Sequence, residues 1–538
     1  MTTVYQAFLN SLEKYPEHTF LNIPSAATRG YQNTAVNLSY SAIADWIDQL
    51  SQNYKAHGYG LGLRVALLLE NRADFFAHWL ALNKLGVSVV PVNGEMQIDE
   101  IAYLLDNSDA CLVISIPEKQ AKLEQATAQL SRKIPIIATD DFASLPDSPL
   151  SPGEATPNEQ SECAILYTSG STGKPKGCML SNEYFLECGR WYVNLDGLCK
   201  QEPGKERIIT PLPLVHMNAM ACSSMAMLMS GGCIVQLDRF HPKSWWASVR
   251  ESKATIIHYL GVMPAILLNM PPSPDEDFSH QIKFGFGAGV NPEHHAPFEQ
   301  RFGFPLIEAW AMTESGTAGC IIANHEPRSI GTSCLGKRSD QVAIKLVDDE
   351  GVEVSQGQPG ELLVRAAGDN PRKGFFSGYY KNDAATQEAW EGNWLHTGDI
   401  LRQDQEGYFY FVDRKKNVIR RSGENISALE VEAALVLDSR VDQVAVTPVP
   451  DEIRGDEVMA CIILKTGAEA SQATATSIFE RAMQSLVYYK LPGYIAFVEQ
   501  LPLTASQKLQ RGEVKLLGRE LLSKGNCFDL RNLKRRPR

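Results

Sequence analysis

The chain has 538 residues, 44% of them hydrophobic and 21% charged. That is too long for one ordinary core, so two or three domains are expected, and the apolar content excludes a disordered chain. Lys plus Arg number 51 against 63 for Asp plus Glu, a net charge of -12, which excludes a broad electrostatic attraction to nucleic acid or anionic lipid; any phosphate site must be local.

Met1 to Glu13 shows no basic segment followed by an apolar one, so no secretory signal is expected. Between Leu61 and Val92, the apolar blocks Val65–Leu69 and Val87–Val90 flank a helical pattern from Asp74 to Leu85, the pattern of a βαβ unit in a parallel sheet. Strands are expected again at Ala110–Ile116, Ile136–Thr139, Ile208–Pro211, Cys233–Leu237, Ile256–Tyr259 and Leu306–Trp310, giving a large α/β domain. Ser144–Gln160 carries four prolines and reads as an exposed connector. The longest apolar run, Met217–Leu237, is broken by Asn218, Ser223, Ser224 and Gly231-Gly232. It reads as a buried helix, a turn and a strand, with its methionines as core filler, and no membrane span is expected.

From about residue 330 to 415 the rhythm becomes strand-turn-strand, around Asp348–Gly351 and Pro359-Gly360, which predicts a β-rich subdomain within a large domain spanning 1–415. A small α+β domain is expected over 416–538. Its first helix starts at a capping box, Ser427 with Glu430, followed by strands at Val441–Thr447 and Val458–Leu464. The tail from Lys524 onward holds six basic residues and reads as solvated. The 11 cysteines are scattered with no C-x-x-C pair, which argues against a disulfide framework or zinc ribbon and for a reducing, cytoplasmic setting.

The densest chemistry lies in Tyr167-Thr168-Ser169-Gly170-Ser171-Thr172-Gly173-Lys174-Pro175-Lys176-Gly177, directly after the apolar strand Ala164-Ile165-Leu166. Glycines let backbone N–H groups converge on one point, and hydroxyls and two lysines add donors, which suits a polyphosphate. The spacing is not that of a Walker A loop.

These eleven residues resemble the phosphate-loop signature of the adenylate-forming superfamily of acyl-CoA synthetases, adenylation domains and beetle luciferases. Further blocks follow in the same order: Trp310-Ala311-Met312-Thr313-Glu314, Leu395-His396-Thr397-Gly398-Asp399, Asp413-Arg414-Lys415-Lys416, Ser422-Gly423-Glu424-Asn425-Ile426 and Pro502 to Arg511, which contains Lys508. The runs Tyr408–Arg414 and Arg421–Ser427 resemble the crotonobetaine/carnitine-CoA ligase branch.

The resemblance implies an AMP-forming acid:CoA ligase with ATP, Mg²⁺ and coenzyme A as cofactors, a role in fatty acid metabolism, and a small carboxylic acid as partner. A homo-oligomer is compatible with it. A carboxylate attacks the α-phosphorus of ATP, pyrophosphate leaves, and a thiol takes the acyl group from the acyl-adenylate. Lys508 is the implied cation at the α-phosphate, Thr313 the implied hydroxyl donor there and Glu314 the Mg²⁺ ligand. Thr168, Ser169, Gly170, Ser171, Thr172, Gly173 and Lys176 would hold the phosphates. Trp310, in place of the family's usual Tyr, and Gly287-Ala288-Gly289 would hold adenine. Asp399 would accept both ribose hydroxyls with Arg414 assisting. Lys416 falls at the family's hinge, about which the small domain turns so that the Gly423 loop replaces Lys508 for the thioester step. His216 would border the carboxylate and the thiol tunnel. Two departures stand out: Ala311 and Gln507 where the family usually has Gly.

A second reading is a stand-alone adenylation enzyme loading a carrier protein. For a quaternary ammonium acid, Tyr184, Trp191 and Tyr192 are the aromatic candidates for a cage.

Overall fold

The computed structural model describes residues 2–27, 35–168, 174–273, 276–348, 350–414, 419–422, 424–426, 428–502, 509 and 511–535, with backbone alone for Asp413, Arg414, Asn425 and Leu429. The expected βαβ unit is strand Arg64–Leu68, helix Ala73–Lys84 and strand Ser88–Pro91, the strands parallel with Val65 opposite Val89. Both faces of this sheet are covered. Val65 and Leu67 enter one apolar cluster, while Ala66 and Leu68 enter another against the helix Ile98–Asn107. An unbroken apolar strand is what such two-sided burial requires.

Among the described residues this sheet has seven strands, in the order Gly378–Tyr379, Lys176–Ser181, Glu162–Thr168, Ser88–Pro91, Arg64–Leu68, Leu112–Ser115, Ile136–Ala138. A second sheet, of 13 strands among the described residues, contains a parallel set, Arg207–Thr210, Cys233–Gln236, Ile256–Leu260, Phe284–Ala288 and Leu306–Met312. The helix Ala73–Lys84 is buried on nearly every side, because it lies in the main core cluster shared by these two sheets.

The antiparallel strands of the expected β-rich region, Cys334–Arg338, Val342–Val347, Gly360–Ala366, Leu395–Gln403 and Phe409–Arg414, continue the second sheet without a break through Gly316–Ile322. They therefore form a wing of the large sheet. No strand lies in 144–160, and the apolar run after Met217 forms a turn of π-helix, Asn218–Ser223, then helix Ser224–Ser230 and strand Cys233–Gln236.

The expected boundary at 415/416 and Ser427 of the capping box lie outside the described residues. Beyond them, helix Ala428–Leu435 packs on a sheet of six strands among the described residues, with its own core. Along Gly455–Leu464, Val458, Ala460 and Ile462 face one cluster, and Met459 and Cys461 the other. The tail is less solvated than its charge predicts. Phe528–Asp529 pairs with strand Tyr494–Phe497, and the Lys534 side chain is fully buried, its ammonium 2.5 Å from Glu457, which also takes Arg421 at 2.7 Å. Burial pushes the Lys534 pKa down to about 7, against the opposing pull of Glu457. Ten cysteines are buried thiols and Cys527 is half-buried. Among the described residues no helix is long and apolar enough to cross a membrane.

Candidate active site

Strands of both sheets, ending at Pro91, Thr168 and Met312, deliver Pro91, Thr168 and Thr313 to one cavity, in keeping with ligand binding at the carboxyl ends of strands in open α/β sheets. Strand Glu162–Thr168 delivers Thr168, whose partner across the hairpin is Lys176. The intervening Ser169, Gly170, Ser171, Thr172 and Gly173 lie outside the described residues, as do Lys416, Gly423 and Lys508. The Lys176 ammonium sits 4.7 Å from the centre of the Tyr379 ring, so the base of the loop is both cationic and packed.

Strand Leu306–Met312 turns sharply into Gly316–Ile322 and presents Thr313 and Glu314 at the bend. Three side chains hold that bend. Ser315 Oγ accepts the Met312 N–H at 3.1 Å, Tyr184 Oη donates to the Thr313 carbonyl at 2.9 Å, and Tyr379 Oη donates to Glu314 Oε1 at 2.8 Å. Gly316 has φ of +53°, and a Cβ there would lie 2.7 Å from the Tyr184 ring, so the turn needs glycine.

Glu314 is buried, and among the described residues no cluster of three His, Cys, Asp or Glu side chains surrounds it. A lone buried carboxylate suits Mg²⁺, which commonly binds through one or two carboxylates plus substrate phosphates.

Gly287-Ala288-Gly289 closes strand Phe284–Ala288. A Cβ at Gly287 would sit 2.3 Å from the Tyr259 carbonyl oxygen, so the neighbouring backbone leaves no room for a side chain. Glu308 fastens the loop that follows: its carboxylate accepts the Gly289 N–H at 2.9 Å, the Val290 N–H at 3.3 Å and the Tyr259 hydroxyl at 2.8 Å.

Trp310 is only 4% exposed, and its Nε1–H donates to Asp399 Oδ2 at 2.8 Å. Asp399 itself is fully buried on strand Leu395–Gln403, opposite Arg414 on the neighbouring strand; the Arg414 side chain is outside the described set.

His216 follows the Pro211–Val215 loop, its side chain 42% exposed with Nε2 3.7 Å from Glu424 Oε2. Desolvation works against the cation, but the nearby Glu424 carboxylate outweighs it and raises the His216 pKa above its usual 6.5. Glu424 comes from the hairpin of Ile419–Arg421 and Glu424–Ile426, turned at Ser422 with φ of +53°. A cavity of about 140 Å³ lies between the two parts of the chain, lined among others by Thr168, Thr313, His216, Glu424, Tyr489 and Lys490.

The structure thus brings together Thr168, Thr313 and His216 from the expected set, and adds Glu424, Tyr489 and Lys490. Glu424 lay inside a recognised block without a role. Tyr184, Tyr379 and Lys490 carried no local signal in these roles, because the partners that define them are between 60 and 390 residues distant. Tyr184 and Tyr192 do not form an aromatic cage: both rings are fully buried, and the Tyr192 hydroxyl is bonded to His258 at 2.7 Å.

Residues 8–380 match the AMP-binding enzyme family, and residues 430–508 the AMP-binding enzyme C-terminal domain. The chain is 30% identical over 489 residues to sulfoacetate–CoA ligase of Cupriavidus necator, covering 89% of this chain and 92% of that one. It is 28% identical over 512 residues to crotonobetaine/carnitine–CoA ligase of Proteus mirabilis, covering 92% and 96%. Its fold superposes on o-succinylbenzoate CoA synthetase of Bacillus subtilis bound to a product analogue with a TM-score of 0.80, at 21% identity, covering 96% of this chain and 98% of that one. The same enzyme holding its acyl-adenylate superposes with a TM-score of 0.64. Family matches over both parts of the chain, together with this fold, establish that the protein belongs to the adenylate-forming superfamily of AMP-binding enzymes, among the acyl-CoA ligases.

Proposed function

We propose that the protein activates a short acid lacking a quaternary ammonium group, and that the arrangement seen is the one in which the thioester forms. The reaction class is that of an ATP-dependent carboxylic acid:CoA ligase working through an acyl-adenylate, with AMP and pyrophosphate as products. The observation that carries the proposal is the Glu424 hairpin beside His216, facing a cavity whose other wall holds Thr168 and Thr313. With that hairpin at the site, a thiol entering the cavity meets the position where an adenylate carbonyl would lie.

The division of labour follows from charge. In the first step negative charge grows on the α-phosphoryl oxygens, and a Thr313 hydroxyl and the Lys508 ammonium directed there stabilise the transition state more than the ground state. Tyr184 fixes the Thr313 backbone so that the hydroxyl needs no reorganisation. Glu314, oriented by Tyr379, would hold Mg²⁺, which when bound screens the phosphate charge and assists departure of pyrophosphate. Asp399 and Gly287–Gly289 would seat the nucleoside. In the second step the His216–Glu424 pair borders the thiol path. A histidine that keeps its proton more readily there stabilises the thiolate as it approaches the carbonyl.

The acid class rests on what surrounds the expected cage: with Tyr184 and Tyr192 buried and their hydroxyls engaged, only Trp191 stays partly exposed. The named relatives act on sulfoacetate and on crotonobetaine or carnitine, so an acid other than a fatty acid is the first choice for assay. The test is pyrophosphate release from ATP and Mg²⁺ against short, medium, aromatic, sulfonated and trimethylammonium acids, each with and without CoA. Sustained release needing a short acid and CoA is expected. Adenylate that CoA cannot discharge would assign the acceptor to a carrier protein, and release with trimethylammonium acids alone would overturn the substrate class.

A further inference from the structure

Lys490 lies in the turn Val487–Lys490, which is anchored in the C-terminal core by Leu486, Val487 and Leu491. Its ammonium reaches out of that core and meets two carboxylates. Glu430 Oε1, on helix Ala428–Leu435 of the same unit, is 2.5 Å away, and Glu100 Oε1, on helix Ile98–Asn107 packed against the seven-stranded sheet, is 2.7 Å away. All three side chains are at most 15% exposed. A second bond runs beside them, from Gln97 Nε2 to the Leu486 carbonyl at 3.3 Å.

These contacts differ in what a rotation of the small unit does to them. Lys490 and Glu430 travel together, so their pair survives any such motion. Glu100 stays with the seven-stranded sheet, where its other oxygen, Oε2, accepts the Gln97 N–H at 2.7 Å and caps the helix. A rotation that carries the Glu424 hairpin away from His216 would therefore also carry Lys490 away from Glu100. Burial and the nearby Glu100 both raise the Glu430 pKa, and Lys490 opposes them; in this arrangement one cation thus faces two crowded carboxylates. An interaction made in one of two states shifts the balance between them by its full differential free energy.

We propose that Glu100 and Lys490 form an inter-unit latch, a pair of positioning residues that holds the thioester-forming arrangement against the adenylate-forming one. The proposal rests on the reading above, that the two half-reactions use different placements of the small unit.

The test separates the half-reactions, using the acid that the pyrophosphate panel identifies. Glu100→Gln, Lys490→Gln and the double variant are assayed for adenylate formation without CoA, and for thioester formation from supplied acyl-adenylate plus CoA. Gln at 100 keeps an acceptor for the helix cap, and thermal melts check that each variant folds. Glu100→Gln is expected to slow thioester formation about 10-fold, within the usual span of coupling between sites, and to leave adenylate formation unchanged or faster. The double variant is expected to be no slower in the thioester step than the slower single one, since both remove the same bond. Equal losses in both half-reactions for Glu100→Gln, additive losses in the double variant, or no change in either half-reaction would overturn the latch. Failure of the ligase reading is distinguishable, because it shows as wild-type enzyme that releases no pyrophosphate with any acid.

Discussion

The Trp310 indole N–H donates to Asp399 Oδ2 at 2.8 Å, both side chains being buried. The aromatic residue expected to meet adenine therefore also orients the carboxylate expected to meet ribose. A hydrogen bond to a charged group contributes about 1.5–3 kcal/mol. Trp310→Phe removes the donor and keeps a ring; the KM for ATP in adenylate formation is expected to rise about 10-fold or more, with the KM for the acid unchanged. An unchanged KM for ATP would separate Trp310 and Asp399 from the nucleotide site.

Tyr379 offers a comparable test of the metal position. Its hydroxyl holds Glu314 Oε1, so Tyr379→Phe frees the carboxylate to rotate. The Mg²⁺ concentration needed for half-maximal adenylate formation is expected to rise several-fold, while thioester formation from supplied acyl-adenylate is kept. A Mg²⁺ titration of both half-reactions checks this, and an unshifted Mg²⁺ dependence would remove Glu314 as the ligand.

The His216–Glu424 pair gives a pH signature. Glu424 raises the His216 pKa despite the opposing effect of burial, so the protonated ring favours the arrangement in which the pair exists. That contribution is fully present below the unpaired histidine pKa and fades as pH rises through the raised, paired value. Glu424→Gln is expected to move the corresponding limb of the pH profile for thioester formation to lower pH, without moving that for adenylate formation. Identical profiles for the variant and the wild type would show that the pair does not act in the thioester step.

Lys534 makes the tail part of the fold. Its pKa is depressed from 10.5 to about 7 by burial, so between about pH 7 and 10.5 the unfolded chain binds more protons at this site than the folded one. Stability from this group should therefore increase with pH across that window. Urea melts of wild type and Lys534→Met at pH 7 and 9 measure it: the wild type is expected to gain more stability than the variant between the two values. Equal changes would mean that Lys534 keeps its proton in the fold.

Much of the molecule was legible in the sequence because its strands are buried on both faces. Val65–Leu69 and Val87–Val90 are unbroken apolar runs bounded by turns, and they became the parallel strands at the centre of the seven-stranded sheet. The blocks around Thr168, Thr313 and Asp399 were visible for another reason, since their chemistry is written in consecutive residues. What stayed hidden is what distance in the chain conceals. Tyr184 and Thr313 are 129 residues apart, and Lys490 and Glu100 are 390 apart; neither pair leaves a periodicity or a motif. Lys534 was misjudged as solvated because a charged tail is normally so, and only the buried Glu457 beside Arg421 explains why a lysine goes inside.

The two-arrangement ligase is tested most directly by Lys508→Ala, assayed in both half-reactions. The account predicts that adenylate formation from acid and ATP is lost, by a factor of about 100 or more as for removal of a group that stabilises transition-state charge, while thioester formation from supplied acyl-adenylate and CoA is largely kept. Equal loss of both steps would contradict a division in which Lys508 serves the first step and the Glu424 hairpin the second.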